Sequence, residues 1–375
     1  MQETFGGKLA IQQRVLAAYR APFFEALAQV CTGGLSIFAG LPRVEEHIPT
    51  THNLRFAQAV MARNVHLLGG VFYLCYQRGL LNWLRNWEPD ALIVEANPRY
   101  LSTPAAVRWM KRRGRPVLAW GLGAPPVGGL AGRFRSVWRR AYLGQFDALL
   151  TYSQRGAEEY ALLGFPSDRI FVAPNAAAPR PTHPLPERPP HFEGRPTVLF
   201  VGRLQKRKRI DDLLFACASL PEMLRPRVVI VGEGPERPVL EALARQIYPL
   251  AEFVGAKHGE ALHPYFLAAD VFVLPGTGGL AVQEAMAWGL PIIMGEGDGT
   301  NQALVRPENG WQAQGPEALA EALRQALSDV PRLRRMGGES YRIVREEVNL
   351  EIMVTAFIQA LNALFTAKSN MRAGL

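Results

Sequence analysis

Short runs of apolar residues recur along the first half of the chain, several of them followed by Gly, Pro or Asn. Such runs are typical of buried strands, and they predict strands at 8–15, 35–39, 91–95, 116–120, 147–153 and 170–175. Between them, residues 21–30 and 155–162 have the apolar spacing of amphipathic helices. Strands that alternate with helices predict a parallel, doubly wound α/β sheet.

A proline-rich stretch interrupts this pattern and predicts a boundary between two domains. Six prolines lie between residues 177 and 195: Pro179, Pro181, Pro184, Pro186, Pro189 and Pro190. Because prolines exclude helices and central strands, we expect a first domain over 1–178, a semi-rigid linker over 179–195 and a second domain over 196–349. Further strands are predicted near 197–202, 227–232, 252–254, 271–274 and 291–294. Residues 350–367 have helical apolar spacing within the last segment, 350–375.

The composition fits two ordinary α/β domains. The chain has 375 residues, of which 48% are hydrophobic and 20% charged. No apolar run approaches the roughly 18 residues of a membrane span, and the N-terminus lacks a signal pattern, so we expect a cytoplasmic protein. Cys31, Cys75 and Cys217 stand in apolar stretches without paired spacing, which favours buried free thiols.

The net charge of +9 belongs to the first half of the chain. Residues 1–190 hold 22 Lys and Arg against 12 Asp and Glu, whereas the remainder holds 20 against 21. The basic block over residues 99–140 contains no acid and carries Arg99, Arg108, Lys111, Arg112, Arg113, Arg115, Arg133, Arg135, Arg139 and Arg140. Such a block is either a solvated helical surface or a site for an anionic partner.

Aromatic residues within the basic block favour an anionic membrane surface as that partner. Trp109, Phe134, Trp138 and Tyr142 stand among the arginines, and rings beside cations suit the headgroup region of a bilayer. No nucleic-acid motif accompanies the block, so no nucleic acid is expected. The interpretation places the protein at the inner face of the membrane as a peripheral protein.

The segment 271–293 combines a strand, a glycine turn, a helix with one acid, and a second strand. The turn consists of Pro275, Gly276, Thr277, Gly278 and Gly279, and the helix begins near Leu280. Glycines let the backbone approach a ligand, and the N–H groups of a helix N-terminus suit a diphosphate. Glu284 can accept hydrogen bonds from sugar hydroxyls, although a solvent-facing acid is the commoner role of a helical glutamate.

Two upstream motifs have comparable turns after predicted strands, and the first of them carries cations. The sequence Val-Gly-Arg-Leu at 201–204 puts Arg203 directly after a strand and Gly202, with Lys208 close behind. These two cations suit phosphate oxygens, while Lys206, Arg207 and Arg209 are expected to be solvated. Gly234 follows the next strand, and Val254 is expected to line the base side of the same pocket.

Residues 196–312 resemble, in motif order and spacing, the donor-binding region of retaining GT-B glycosyltransferases of family 4, the glycosyl transferases group 1. The resemblance implies an α/β GT-B fold, with two Rossmann-like domains facing a cleft and a last helix crossing back to the first domain. It implies transfer of a sugar from a UDP- or GDP-linked donor to an acceptor hydroxyl with retention, in cell-surface glycan or glycolipid synthesis. The donor-binding residues it implies are Arg203, Lys208, Glu284, Gly202, Gly234, Gly278, Gly279, Val254 and Leu280.

The sequence departs from the family pattern at two places. Gly276 stands where the first of two family glutamates is usual, and residues 120–126 lack the histidine that often follows the corresponding strand. Glu95 is the nearest acid able to orient or deprotonate an acceptor, so it is the candidate catalytic residue. Tyr19 and Arg20 are candidates for the acceptor side, with a helix-start role as the alternative.

Other hypotheses remain open at this stage. A sugar-nucleotide epimerase and a degenerate GT-B module that binds nucleotide or membrane without catalysis are the alternatives. Glu296 and Asp298 lie in a glycine-rich loop, which we expect to be backbone-binding rather than a metal site. We therefore predict no metal and no cofactor. The expected partners are the nucleotide sugar, a sugar or lipid-linked acceptor, and the anionic membrane; His258 and His263 are expected at the surface.

Overall fold

The computed structural model describes residues 3–46, 48–125, 129–279, 281–295 and 304–373, without the side chains of 71, 129–135 and 366–373. The chain divides into two compact units. The first unit contains residues 1–177 and 350–375, and the second contains residues 178–349. The sequence analysis predicted a first domain over 1–178, a linker over 179–195 and a second domain over 196–349, with 350–375 crossing back to the first domain; in the structure residues 178–195 belong to the second unit.

A seven-stranded sheet forms the centre of the first unit. The strands of this unit are β1 Leu9–Val15, β2 Leu35–Gly40, β3 Gln58–Met61, β4 Arg63–Leu67, β5 Leu74–Arg78, β6 Ala91–Glu95, β7 Val117–Gly121, β8 Ala148–Thr151 and β9 Ile170–Val172. The sheet order is β3-β2-β1-β6-β7-β8-β9, and every paired neighbour is parallel. β4 and β5 form a separate antiparallel hairpin, which the sequence analysis did not predict. Strand order reverses between β1 and β6, where open α/β sheets bind ligands.

Helices cover this sheet because its central strands are apolar on both faces. They are α1 Ala21–Val30, α2 Leu80–Trp87, α3 Thr103–Lys111, α4 Gly129–Leu143 and α5 Gln154–Leu162. In α3, Ala106, Val107 and Met110 are buried at helical spacing, while Arg108 and Lys111 are exposed. The exposed side of α3 therefore carries part of the basic block.

The second unit is built around a six-stranded parallel sheet. Its strands are β10 Thr197–Val201, β11 Arg227–Val231, β12 Ala251–Gly255, β13 Val271–Leu274, β14 Ile292–Met294 and β15 Gly310–Gln312. Its helices are α6 Ile210–Ser219, α7 Arg237–Ile247, α8 His263–Ala268, α9 Ala281–Ala287, α10 Gly315–Ser328 and α11 Val330–Glu346. The order β12-β11-β10-β13-β14-β15 reverses between β10 and β13, which predicts a ligand site beyond their carboxyl ends.

The proline-rich segment lies on the second unit. Residues 178–195 contain no helix or strand. The Arg188 guanidinium donates to the carbonyl oxygens of Phe266 at 2.9 Å and Trp288 at 3.1 Å, and the His183 ring stacks on Trp288 at 4.2 Å. The segment is therefore fixed along its length rather than acting as a free spacer.

The last helix, α12 Leu350–Ala373, completes the core of the first unit. Phe357 packs edge-on against Phe23 at 4.9 Å and Trp120 at 5.0 Å. In the described part of the chain, the helical stretch 330–365 is long and apolar enough to cross a membrane, contrary to the expectation of no such run. Since 56% of its apolar window is buried within the fold, that stretch has the character of core helices.

Candidate functional site

A cavity of about 720 Å³ opens at the carboxyl ends of the strands in the second unit. It lies where β10 and β13 meet, at the reversal of strand order. Its lining includes Gly202, Arg203, Arg207, Lys208, Glu233, Gly234, Lys257, His258, Gly278, Gly279 and Glu284. Seven of the nine donor-side residues proposed from the sequence therefore stand around one space.

Lys208 is the most enclosed cation of this pocket. It is 5% exposed, and its Nζ donates to the carbonyl oxygens of Thr277, at 2.8 Å, and Gly278. A buried ammonium is stable only with such partners, since it has left water. Lys208 thereby connects the turn after β10 to the glycine turn after β13.

Arg203 presents its charge differently. It is exposed at the pocket and makes no hydrogen bond or ion pair with the described residues. Arg207, expected to be solvated, is exposed but also lines the pocket, with its Nη1 3.4 Å from the Thr277 oxygen. Lys206 is exposed outside the lining, and Arg209 pairs with Asp212 at 2.6 Å. Three cations of one short segment thus face the cavity.

Glycines bring the turns of this pocket into direct contact. A Cβ on Gly276 would overlap the carbonyl oxygen of Arg207 and the backbone of Lys208. The amide of Thr277 donates to that same Arg207 oxygen at 3.1 Å. Position 276 therefore accepts no side chain without backbone movement, which explains physically why a glutamate is absent there.

Glu284 lies in α9 and stands open to the cavity. Its helix neighbours Val282, Gln283, Ala285 and Met286 are buried. Burial by surrounding protein raises the pKa of Glu284, and the nearby His263 and His258 oppose that rise. His258 is an exposed residue, as expected, but it also lines the cavity.

Two proposed donor residues are not among the described lining. Val254 packs against the hydrophobic core of the second unit, and Leu280 lies outside the described residues. The loop with Glu296 and Asp298 also lies outside them. Within the described ranges, no group of three His, Cys, Asp or Glu side chains could hold a metal ion.

A second cavity, of about 320 Å³, brings together the three acceptor-side residues proposed from the sequence. Glu95 is the last residue of β6, while Tyr19 and Arg20 lie in the short helix Ala18–Arg20 after β1. This is the reversal point of the first unit's sheet. Trp120 and Tyr152 complete its aromatic wall.

Glu95 is held by the end of β1. Its carboxylate accepts the backbone N–H of Arg14 at 2.6 Å and the hydroxyl of Tyr100. Burial raises the pKa of Glu95 despite these contacts. The carboxyl group is thus oriented at the cavity wall, with a more basic character than an exposed glutamate.

The basic block is less exposed than its sequence indicated. Trp109 and Tyr142 are buried in the core of the first unit, so two of the four aromatic residues that favoured a membrane partner are unavailable to a membrane. Lys111 pairs with Asp147 at 3.4 Å and Arg115 with Glu88 at 2.9 Å. Arg108 and Arg112 are exposed without a side-chain partner in the described chain, and Trp138 is 54% exposed. The side chains of Arg133, Phe134 and Arg135 are not described.

Two family models, one for each half of the chain, together match most of it. Residues 183–342 match glycosyl transferases group 1, and residues 14–176 match the glycosyl transferase 4-like domain. The chain belongs to the glycosyl transferases group 1 family. The family predicted from the sequence is therefore confirmed, and the protein is a transferase enzyme.

Two curated relatives of this glycosyltransferase are similar to it over most of their own length. The lipopolysaccharide core biosynthesis glycosyltransferase LpsE of Rhizobium meliloti is 24% identical over 301 residues, 74% of this chain and 87% of that protein. A GDP-mannose-dependent alpha-(1-6)-phosphatidylinositol dimannoside mannosyltransferase of Mycobacterium tuberculosis is 26% identical over 330 residues, 82% of this chain and 83% of that protein.

The solved structures establish the fold class of the glycosyltransferase. The Anabaena protein HepE, in complex with UDP, superimposes with a TM-score of 0.66 at 14% identity, covering 97% of this chain and 100% of that one. At this identity the likeness concerns fold alone. The predicted α/β GT-B class is confirmed.

Sequence reasoning missed several residues that line the 720 Å³ cavity of the glycosyltransferase. Glu233 stands between the two glycines of a recognised motif, and Lys257 and His258 follow the carboxyl end of β12. The rule that ligands lie beyond strand ends, applied to every strand of the sheet, would have found all three.

Proposed function

We propose that the glycosyltransferase binds a UDP- or GDP-linked sugar in the 720 Å³ cavity and transfers the sugar, with retention, to an acceptor hydroxyl. The product would be a cell-surface glycan or glycolipid. The observation that carries the proposal is the convergence of Arg203, Lys208 and Glu284 on one glycine-walled space.

The two cations would stabilise the departing nucleoside diphosphate. Negative charge grows on phosphate oxygens as the sugar leaves, and cations already in place favour that change. Lys208 is fixed by two carbonyl oxygens, whereas Arg203 is free of described partners and can move to the phosphate. We propose that these side chains neutralise the charge without a metal ion or other cofactor.

Glu284 and the glycine turn would hold the sugar. The carboxylate accepts hydroxyl hydrogen bonds, and the backbone of Thr277, Gly278 and Gly279 offers close contacts because no side chain fits at Gly276. We therefore expect backbone contacts to replace the missing glutamate of the family. The donor nucleotide is supported only by relatives: one is GDP-mannose-dependent and another structure contains UDP.

The 320 Å³ cavity would receive the acceptor, with Tyr19, Arg20 and Glu95 in its wall. Glu95, whose pKa burial raises, would orient the acceptor hydroxyl or take its proton. In a retaining transfer the leaving phosphate can also accept that proton. The activity of LpsE in lipopolysaccharide core biosynthesis supports a glycan or glycolipid acceptor.

The glycosyltransferase would work at the cytoplasmic face of an anionic membrane. The support is the part of the basic block that keeps exposed cations, chiefly Arg108 and Arg112. Cations near anionic headgroups contribute about 1 kcal/mol each, so a few suffice for reversible attachment. No nucleic-acid partner is proposed.

Slow hydrolysis of a panel of UDP- and GDP-sugars tests the function, with the anomer of the released sugar followed by proton NMR. We expect one nucleotide class to be cleaved, and the anomer first released should keep the donor's configuration. Release of the opposite anomer would contradict retention. Conversion to an epimeric nucleotide sugar would favour the epimerase, and nucleotide binding without any turnover would favour a non-catalytic module.

A further inference from the structure

Arg20 is a buried cation without an anionic partner among the described residues. It is 8% exposed, yet it makes no ion pair with them, and its Nη1 is buried without a hydrogen bond. Its Nη2 donates only to the hydroxyl of Tyr152, at 3.3 Å. Burial raises the pKa of Tyr152 to about 12, so this partner is a neutral phenol.

Aromatic rings hold the guanidinium in place without using its hydrogen-bond donors. The Arg20 Cζ lies 5.1 Å from the ring centre of Tyr19 and 5.3 Å from those of Trp120 and Tyr152. Such contacts compensate part of the cost of burying the charge. They leave an N–H without an acceptor, and a buried, unpaired donor on a charged group costs free energy.

The cavity that Arg20 lines continues toward a larger one. A neighbouring cavity of about 560 Å³ shares Ala96, Asn97 and Gly123 with it. The lining of the 560 Å³ cavity includes Leu68, Phe72 and Trp138, whose exposed fractions are 72%, 73% and 54%. Leu68 is held at a φ of 57°, a conformation that leucine rarely adopts, at the end of the β4–β5 hairpin.

We propose that Arg20 binds an acidic group of the acceptor, a phosphate or a carboxylate, and that the acceptor's apolar body extends past Asn97 onto Phe72 and Trp138. This assignment rests on the proposed transferase function. The counter-ion that buried Arg20 lacks is then supplied by the acceptor. The described lining of the larger cavity contains Arg99 and Arg139 and no acid, which suits the same anionic ligand.

Hexyl phosphate is a suitable probe, because it joins one acidic group to a short apolar chain. Fluorine NMR of protein labelled with 5-fluorotryptophan gives the readout, with the Trp120 signal assigned from Trp120→Phe. We expect a saturable shift of that signal with hexyl phosphate, and at least tenfold weaker binding of both hexanol and inorganic phosphate. Equal binding of hexanol would overturn the anionic site, and equal binding of inorganic phosphate would overturn the apolar extension.

Variants assign the site to Arg20. Arg20→Met should weaken hexyl phosphate binding at least tenfold, Arg20→Lys should recover part of the loss, and Arg63→Met, at an exposed arginine of the same unit, should bind normally. Thermal unfolding shows whether each variant folds. If Arg20→Met does not fold, Arg20→Lys alone decides. A reduced affinity that still favours hexyl phosphate over hexanol supports the role of the charge, and loss of that preference contradicts it.

A donor measurement separates this inference from the proposed function. Affinity for UDP and GDP, measured by calorimetry, should stay near wild type in Arg20→Met. A loss as large as that of Lys208→Ala would assign Arg20 to the donor diphosphate and overturn the inference. If hexyl phosphate binds as expected but no nucleotide sugar is ever cleaved, the proposed function fails and the acidic-ligand site stands.

Discussion

The cavities of the two units present their cations in opposite ways. In the second unit, Arg203 and Arg207 are exposed on turns after β10, and glycines bring the backbone close to the ligand space. In the first unit, Arg20 is buried among Tyr19, Trp120 and Tyr152 before any ligand arrives.

The different exposure of these cations is consistent with the ligand proposed for each cavity. A leaving nucleoside diphosphate must be bound and then freed, and exposed cations with low desolvation cost suit that cycle. A buried arginine held among aromatic rings would instead suit one geometry of anion, since little further ordering is needed on binding. Lys208 is intermediate, because it is buried but satisfied by the Thr277 and Gly278 carbonyls.

The largest expected effect is that of Lys208→Ala. This change removes a cation from the diphosphate and also the link between the turn after β10 and the glycine turn. Loss of a charge-assisted contact costs about 1.5–3 kcal/mol, which corresponds to roughly 10- to 150-fold in donor use. We expect the loss in donor use to be near the upper limit of this range for Lys208→Ala. It should be near the lower limit for Arg203→Ala, since Arg203 is solvated.

Steady-state kinetics with varied donor measures these effects, and Lys206→Ala is the matched control on the same turn. Lys206 is exposed and outside the described lining, so its variant should resemble wild type. Wild-type kinetics in both the Lys208 and Arg203 variants would remove these residues from the site.

Glu284→Gln should have a smaller effect, about tenfold, because the amide keeps its size but loses the charge that strengthens hydrogen bonds to hydroxyls. The pH dependence should change as well. Burial raises the pKa of Glu284, so the carboxylate is lost at a higher pH than for an exposed glutamate, and donor affinity should fall as the pH decreases through that pKa.

Donor affinity measured across mildly acidic and neutral pH should show this decrease in wild type. The decrease should be absent, or much smaller, in Glu284→Gln. Glu260→Gln, at an exposed acid outside the described lining, is the control and should keep it. The nearby His263 and His258 oppose the rise in the pKa of Glu284 without reversing it. An unchanged pH dependence of donor affinity in Glu284→Gln would show that another group is responsible for it.

The membrane attachment should depend moderately on Arg108 and Arg112. Their double replacement by Glu should weaken binding to vesicles of anionic lipid several-fold, and wild-type binding should fade as salt shortens the screening length to about 8 Å. Sedimentation with vesicles measures binding, with Arg85→Glu in the same unit as control. Equal binding of wild type and double variant would identify the block as a solvated surface.

The smallest expected effect is that of chelation. If Arg203 and Lys208 carry the charge of the leaving group, activity in EDTA should equal that in buffer. A loss of activity that Mg²⁺ restores would instead assign the neutralisation to a metal ion.

The same two cavities differ in how much the sequence could predict. The cations and glycines of the second unit lie within short motifs directly after strands, so these motifs and the family resemblance they carry were enough to propose them for one donor site. Arg20, by contrast, is defined by rings from β7 and the segment after β8, more than 95 residues away along the chain. No local pattern indicates that such a side chain is buried and unpaired.

Two further differences have local causes. The position of Trp109 among arginines predicts a ring at the membrane surface, but α3 buries it with Ala106, Val107 and Met110, a spacing visible in the sequence. The β4–β5 hairpin was missed because its strands are short and half-exposed, without the continuous apolar runs of the central sheet.

Release of nucleoside diphosphate from UDP- and GDP-sugars without acceptor is the most direct test of the account, measured for wild type, Lys206→Ala and Lys208→Ala. The account predicts release from one nucleotide class, unchanged in Lys206→Ala and reduced roughly 100-fold in Lys208→Ala. Equal release by Lys208→Ala and wild type, with both variants folded, would contradict the claim that the cavity of the second unit binds the donor diphosphate.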